Sequence, residues 1–275
     1  MTKILFYNNT NYTELPELTS SLEILYIYDN LLLTKLPELP LTLIKLYIDN
    51  NPLLKRLPNL PSNLKILYSY SNPLLKRLPK LPSSLDYLEC SINPLLKELP
   101  ELPSSLTNLN CSNNKSLIKI PELPSNLLKL QYNILLLERL PDLPSTLIYL
   151  DCIGNLLLTI LPELPSSLEE LYCSYNPLLS EIPELPSSLI KLYCTNNPLI
   201  TTLPELPSSL EYLECNNNPL LTTLPRSIIY CKKLKYYKKV NNLNYLEILP
   251  YLVNVKIEEY YYKSIMNYYN KIYFF

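Results

Sequence analysis

Most of this chain is one segment repeated. The unit L-x-x-L-x-C-x-x-N-P-L-L-x-x-L-P-E-L-P-S-S starts at Met1, Leu22, Leu43, Leu64, Leu85, Leu106, Leu127, Leu147, Leu168, Leu189 and Leu210. Nine of the ten intervals are 21 residues. The unit at Leu127 is followed after only 20, with QYNILLLERLP in place of the usual stretch, so a kink or a repacked loop is expected there. A short fixed period of this kind specifies a solenoid, in which each unit touches only its neighbours. One unit buries too few apolar side chains to offset the entropy of ordering its backbone, so stacking must supply the remainder.

Within the unit, x-L-x-C-x reads as a strand whose Leu and Cys point inward while the flanking residues face out, because strand side chains alternate. The return segment cannot be a regular helix. Prolines three apart, such as Pro204 and Pro207, remove donors and fix φ near −65°, leaving an extended or polyproline path. Asparagine recurs at the ninth position: Asn9, Asn30, Asn51, Asn72, Asn93, Asn114, Asn155, Asn176, Asn197 and Asn218. An amide with both donors and an acceptor satisfies loop backbone where water is excluded, so this column is structural. Cys90, Cys111, Cys152, Cys173, Cys194 and Cys215 share the inward position that Phe6, Ile27, Ile48, Ser69 and Tyr132 fill in other units. They are expected to be small core residues, since equivalent parallel positions point the same way and no C-x-x-C spacing exists.

These motifs resemble leucine-rich repeats, whose L-x-x-L-x-L-x-x-N stands here as Leu168-x-x-Leu171-x-Cys173-x-x-Asn176. The run Leu161-Pro162-Glu163-Leu164-Pro165-Ser166-Ser167-Leu168 is similar to the L-P-x-L-P-x-x-L backbone of short repeats in bacterial effector proteins, including effector ubiquitin ligases. The resemblance spans roughly residues 1 to 250. It departs from the effector pattern in carrying one extra residue within N-P-L-L, in having no helical cap before Met1, and in lacking a following catalytic domain. Free thiols in such number fit a reducing, intracellular compartment such as the cytoplasm.

The fold expected is a β-rich solenoid: a right-handed, curved leucine-rich-repeat array with a parallel concave sheet of about a dozen strands ~4.8 Å apart, an extended or polyproline convex side and a short C-terminal cap helix. Residues 1–223 form the 21-residue repeats and 224–257 a divergent final repeat. In that last repeat Ile228, Cys231, Leu234 and Tyr237 fall at spacing three. Residues 258–275, with Tyr261, Ile265, Tyr268 and Ile272 at helical spacing, form the cap. Met1 already occupies a repeat position, so an uncovered amino-terminal edge, and self-association through it, are expected.

Composition narrows the chemistry. There is no His, no Trp, no Ala and only one Gly, against 25 Tyr and 27 Pro. Imidazole acid/base chemistry, His-containing zinc sites and Gly-rich phosphate loops are thereby excluded. No enzyme activity, cofactor or metal is expected. Scarce Ala, Gly and Val with twenty Lys against four Arg also indicate an AT-rich genome, of which a large DNA virus would be one source. Residues 1–223 hold 15 Lys/Arg against 22 Asp/Glu (15 − 22 = −7), and residues 224–275 hold 9 against 3 (9 − 3 = +6). An acidic body argues against nucleic acid as partner, and no segment reads as a signal peptide or membrane span. Glu17, Glu38, Glu101, Glu122, Asp142, Glu163, Glu184 and Glu205 form an acidic column interrupted at Asn59 and Lys80, read as a solvated convex edge or, alternatively, a ridge for cations or a basic partner.

The variable strand positions set the concave surface. One column reads Leu5, Tyr26, Tyr47, Tyr68, Glu89, Asn110, Gln131, Asp151, Tyr172, Tyr193 and Glu214, with Tyr28 and Tyr70 adjacent. Tyr26, Tyr28, Tyr47, Tyr68, Tyr70, Tyr172 and Tyr193 are therefore the candidate residues for binding a protein partner, because clustered exposed aromatics mark interfaces. Their truncation is expected to weaken binding without moving the unfolding midpoint. A non-catalytic interaction scaffold is the leading function. A structural component of a particle, and an adaptor or remnant of an effector-type ubiquitin ligase, stay open beside it.

Overall fold

The computed structural model describes residues 3–134 and 138–231, and the backbone of 236–238. Twelve parallel strands lie side by side in chain order. They are β1 (Ile4–Asn8), β2 (Ile24–Tyr28), β3 (Lys45–Asp49), β4 (Ile66–Tyr70), β5 (Tyr87–Glu89), β6 (Asn108–Asn110), β7 (Lys129–Gln131), β8 (Tyr149–Asp151), β9 (Glu170–Tyr172), β10 (Lys191–Tyr193), β11 (Tyr212–Glu214) and β12 (Tyr236–Lys238). Register follows the repeat, with Leu46 opposite Leu67 and Leu192 opposite Leu213. The alternation is visible in burial: in β2, Leu25 and Ile27 are buried while Ile24, Tyr26 and Tyr28 stay half-exposed. Inward leucines from successive turns merge into one core running along the solenoid.

Two polar columns seal the turns. Each asparagine amide reaches both ways along the stack. Asn176 Nδ2 donates to Cys173 O at 2.8 Å, its Oδ1 accepts from Asn155 N at 2.8 Å, and its own N–H donates to Asn197 Oδ1 at 2.8 Å. A second column consists of the last hydroxyl of P-S-S: Ser105 Oγ donates to Leu85 O at 2.6 Å, Ser167 to Leu147 O at 2.7 Å and Ser188 to Leu168 O at 2.6 Å. Sequence reading assigned those serines no role, yet each satisfies a carbonyl that the proline-rich return would otherwise leave unpaired. The residue before each column asparagine from Asn30 onward has positive φ, among them Asn50 (51°), Asn196 (57°) and the sole glycine, Gly154 (73°). Ile92, at 55°, is a β-branched residue in that left-handed position and carries strain there.

The first unit corrects the sequence reading. Its strand is offset by one residue, so Leu5 pairs with Leu25 and Phe6 with Tyr26. Leu5 and Tyr7 pack against the core, whereas Phe6, expected inside, is 62% exposed. Thr10, rather than Asn9, takes the asparagine place, donating from both N and Oγ1 to Asn30 Oδ1. The cause is a first turn without the extra residue of N-P-L-L. A slip of one residue exchanges the two faces of a strand.

At the 20-residue unit the sheet runs on unbroken from β7 to β8. Tyr132 fills the cysteine position, with its hydroxyl buried and unpartnered, and Ile134 stands in the asparagine place, its N–H donating to Asn155 Oδ1 at 2.7 Å. The divergent repeat opens with a 3-10 helix, Arg226–Tyr230, that buries Ile228. Cys231 is buried beside it, and Tyr237 pairs with Leu213. The expected cap helix at 258–275 lies outside the described residues.

All seven cysteines are free and buried. Burial pushes the Cys173 and Cys215 thiols up to about 12 and Cys231 up to about 11, so thiolate is absent at neutral pH. Cys90 and Cys152 each donate to the next turn's carbonyl at 3.4 Å. Titration with a thiol reagent is therefore expected to find the seven inert in native protein and reactive after denaturation. Rapid native labelling, or a disulfide between two column members, would contradict the packing.

Candidate functional site on the concave face

The outward positions of the strands divide the concave face into three zones. The first is an aromatic ladder. Phe6 stacks on Tyr26 with centroids 4.6 Å apart and Tyr26 on Tyr47 at 4.6 Å, while Tyr47 approaches Tyr68 at 6.0 Å. Tyr28 and Tyr70 lean on Tyr26 and Tyr68 at 5.6 and 6.1 Å. The structure thus brings all five amino-terminal candidates together and adds Phe6, which the misaligned first unit had hidden. Parallel register causes the stacking, since equivalent side chains recur at the strand spacing. The stacked rings turn their faces to each other. What they offer a partner is a row of ring edges and hydroxyl tips, not open faces for intercalating bases. Burial, aided by neighbouring Glu89 and Asp49, pushes the Tyr68 phenol up to about 12.

The middle zone, Glu89, Asn110, Gln131 and Asp151, is polar. Glu89 is only 4% exposed and accepts from Ser91 N at 2.9 Å. Burial raises its carboxyl above the ordinary range, partly offset by that hydrogen bond. Asp151 accepts from Ile153 N at 3.1 Å, and burial lifts its carboxyl to about 6. Asn110 Oδ1 repeats the same turn, accepting from Ser112 N at 3.1 Å. Two carboxylates are therefore held where desolvation opposes their charge. Sequence reading placed both on the surface and missed that Glu89 is buried and Asp151 half-buried between the neighbouring strands, Tyr68 and Asn110 flanking the first and Gln131 and Tyr172 the second.

The third zone is a second ladder. Tyr172 stacks on Tyr193 at 4.7 Å and meets Tyr149, absent from the sequence-derived set, at 5.3 Å. Tyr172 OH donates to Glu170 Oε2 at 2.8 Å, Lys191 Nζ lies 3.0 Å from Glu170 Oε1, and the same ammonium sits 5.8 Å from the Tyr212 ring centroid. Among the described residues no group of three or more His, Cys, Asp or Glu is placed to hold a metal ion. The acidic convex column is exposed as expected.

A parallel solenoid with inward leucines, an asparagine ladder and a variable concave face defines a leucine-rich-repeat protein, and this chain is one. The Leucine Rich Repeat family profile matches residues 167–189 and 209–231. Among solved structures the chain is similar to YopM from Yersinia enterocolitica, with 34% identity and a TM-score of 0.56 over 88% of this chain and 62% of that one. It therefore spans less than two thirds of that protein's length. A leucine-rich effector protein YopM from Yersinia pestis matches at 28% identity and TM-score 0.31, covering 78% of this chain and 88% of that one. A Leptospira interrogans leucine-rich-repeat protein matches at 23% and 0.47, covering 87% and 78%. Only the first superposes well enough to bear on the argument. No curated protein matches the sequence. Among the described residues no helix is long and apolar enough to cross a membrane.

Proposed function

We propose that this chain is a non-catalytic scaffold whose concave face binds a protein partner inside a cell. The observation that carries this reading is the pairing of two tyrosine ladders with a central zone where Glu89 is buried and Asp151 half-buried, both at an electrostatic disadvantage. Burying carboxylates without counter-charge is unfavourable, and groups held so in a concavity are a mark of a binding site. A partner presenting a Lys or Arg to that centre, with aliphatic and polar groups over the tyrosine edges, would relieve it. The similarity to Yersinia YopM supports an effector-like role in which the partner is a host protein. Buried free thiols fit a reducing compartment.

The test is affinity capture from cell extract with the full chain, followed by measurement with the partner recovered. Tyr47→Ala and Tyr68→Ala should each weaken binding about tenfold or more, equivalent to ~1.4 kcal/mol. Because Tyr47 is stacked on Tyr26, its removal should also lower stability by about 1 kcal/mol, a small shift of the midpoint beside the loss of binding. Unchanged affinity in both variants would remove the concave face as the site. A structural role in particle assembly predicts capture of this chain's own copies and no stoichiometric foreign partner.

A further inference from the structure

Three exposed positions depart from the repeat, and they lie in successive units. The acidic column that runs from Glu17 to Glu205 is broken only at Asn59 and Lys80, and in the unit before them Leu41 stands where later units, from Ser62 to Ser208, carry a serine after the second proline. Leu41 is 72% exposed. Stability of a solenoid comes from the inward positions and the contacts between turns, so the fold requires none of these changes. Two of the chain's four arginines, Arg56 and Arg77, fall three residues before Asn59 and Lys80, although lysine is the common cation of this composition.

The departures meet at one groove. An open cleft of about 650 Å³ lies on the convex side between the units that start at Leu22 and Leu43, and its walls include Lys35, Glu38 and Leu41 of the first and Arg56, Asn59 and Leu60 of the second. Arg56 and the column position thus share one surface, and the same placement one unit on sets Arg77 beside Lys80. Among the described residues Lys35 is held by Glu14 at 2.8 Å, whereas Arg56, Arg77 and Lys80 are exposed and in no ion pair. We propose that this convex surface binds an acidic segment of a partner protein, extended across the turns, with an apolar side chain of the segment against Leu41 and Leu60 and its carboxylates on Arg56, Arg77 and Lys80. Equivalent residues one repeat apart recur every ~5 Å and same-face side chains of an extended segment every ~7 Å, a difference that long Arg and Lys side chains span. The cationic surface is narrow, with Glu14 and Glu38 on one side and Glu98 and Glu101 on the other. A nucleic-acid duplex or an anionic bilayer needs a broad positive face and would meet those carboxylates; a short segment fits between them. The apolar lip at Leu41 likewise offers nothing to a phosphate chain. The site lies on the face opposite the tyrosine ladders and is separate from the concave reading.

Fluorescence anisotropy on the full chain tests this, with a labelled synthetic peptide of two central leucines flanked on each side by five glutamates. The peptide should bind, and more weakly as salt is raised. Arg56→Glu combined with Arg77→Glu should raise the dissociation constant at least tenfold, and Leu41→Ser, which only restores the residue of later units, at least threefold. Arg139→Glu, at the same repeat position but beside Glu138 and outside the patch, should leave it unchanged, as should Tyr47→Ala on the concave face. The inference is overturned if the wild type fails to bind at the highest attainable concentration, if Arg139→Glu weakens binding as much as the paired reversal, or if Leu41→Ser has no effect. Loss of the peptide in Tyr47→Ala would move it to the concave face and overturn the inference as well. So would single-stranded oligothymidylate or phosphatidylserine vesicles that bind more tightly than the peptide and are lost on the paired reversal, since the surface would then be one for phosphate.

Discussion

Asn176→Ala should lower stability by about 1–3 kcal/mol, while Glu163→Ala stays within about 0.5 kcal/mol of the wild type. The amide of Asn176 is fully buried and its two lost contacts are both to backbone. Alanine leaves Asn155 N–H without its partner, formerly at 2.8 Å, in a turn closed to water, and takes from Cys173 C=O one of two donors, Asn197 Nδ2 remaining at 3.0 Å. Such an orphan costs about 1–3 kcal/mol. Glu163 points into solvent and loses nothing comparable. A solenoid transmits stability only through neighbouring interfaces, so a weakened ninth turn should also split a single urea transition into two. Equal midpoints for the two variants would show that the asparagine column does not hold the turns together.

Asp151→Asn should do the opposite and stabilise the protein at neutral pH by ~1–3 kcal/mol. A free aspartate titrates near 4, and in the folded chain burial lifts this one to about 6. Between those values the folded state holds more protons than the unfolded state. The contribution of this group to stability therefore falls as pH rises from about 4 through 6, and it stays unfavourable above. Part of the residue remains open to solvent, which places the effect at the lower end of the range. Asparagine keeps the acceptor for Ile153 N–H without the charge. Urea midpoints measured at pH 4.5 and 7.5 check the sign: the gain from Asp151→Asn should be clearly larger at the higher pH. A gain of equal size at both would mean that the carboxylate is not desolvated. The same variant should bind a cationic partner less well, a trade of stability against recognition common at binding surfaces.

How far the sequence carries can be judged from particular residues. Leu171, Cys173 and Asn176 were legible as core, core and turn ladder, because a repeated position in a solenoid repeats its surroundings. The same logic failed at Phe6. There the pattern matches in two registers one residue apart, and only the shorter first turn, closed by Thr10 on Asn30, selects between them. The P-S-S hydroxyls stood in plain view in the repeat. Their role depends on which carbonyl of the preceding turn lies within 2.7 Å of each, as Ser167 shows with Leu147, and that distance is set by stacking.

Period and composition alone determined that this chain stacks as a parallel leucine-rich array with a proline-rich return, because one short strand every 21 residues needs a compact return and prolines three apart keep that return from being a helix. They also set which residues face the concavity in every described unit after the first, since strand alternation is local. The tertiary structure decided everything that depends on distance between turns. It joined Tyr26 to Tyr47 as stacked rings and set Asp151 between Gln131 and Tyr172. Burial and electrostatic environment are sums over neighbours one repeat away, and a linear pattern fixes who those neighbours are without fixing how closely they approach.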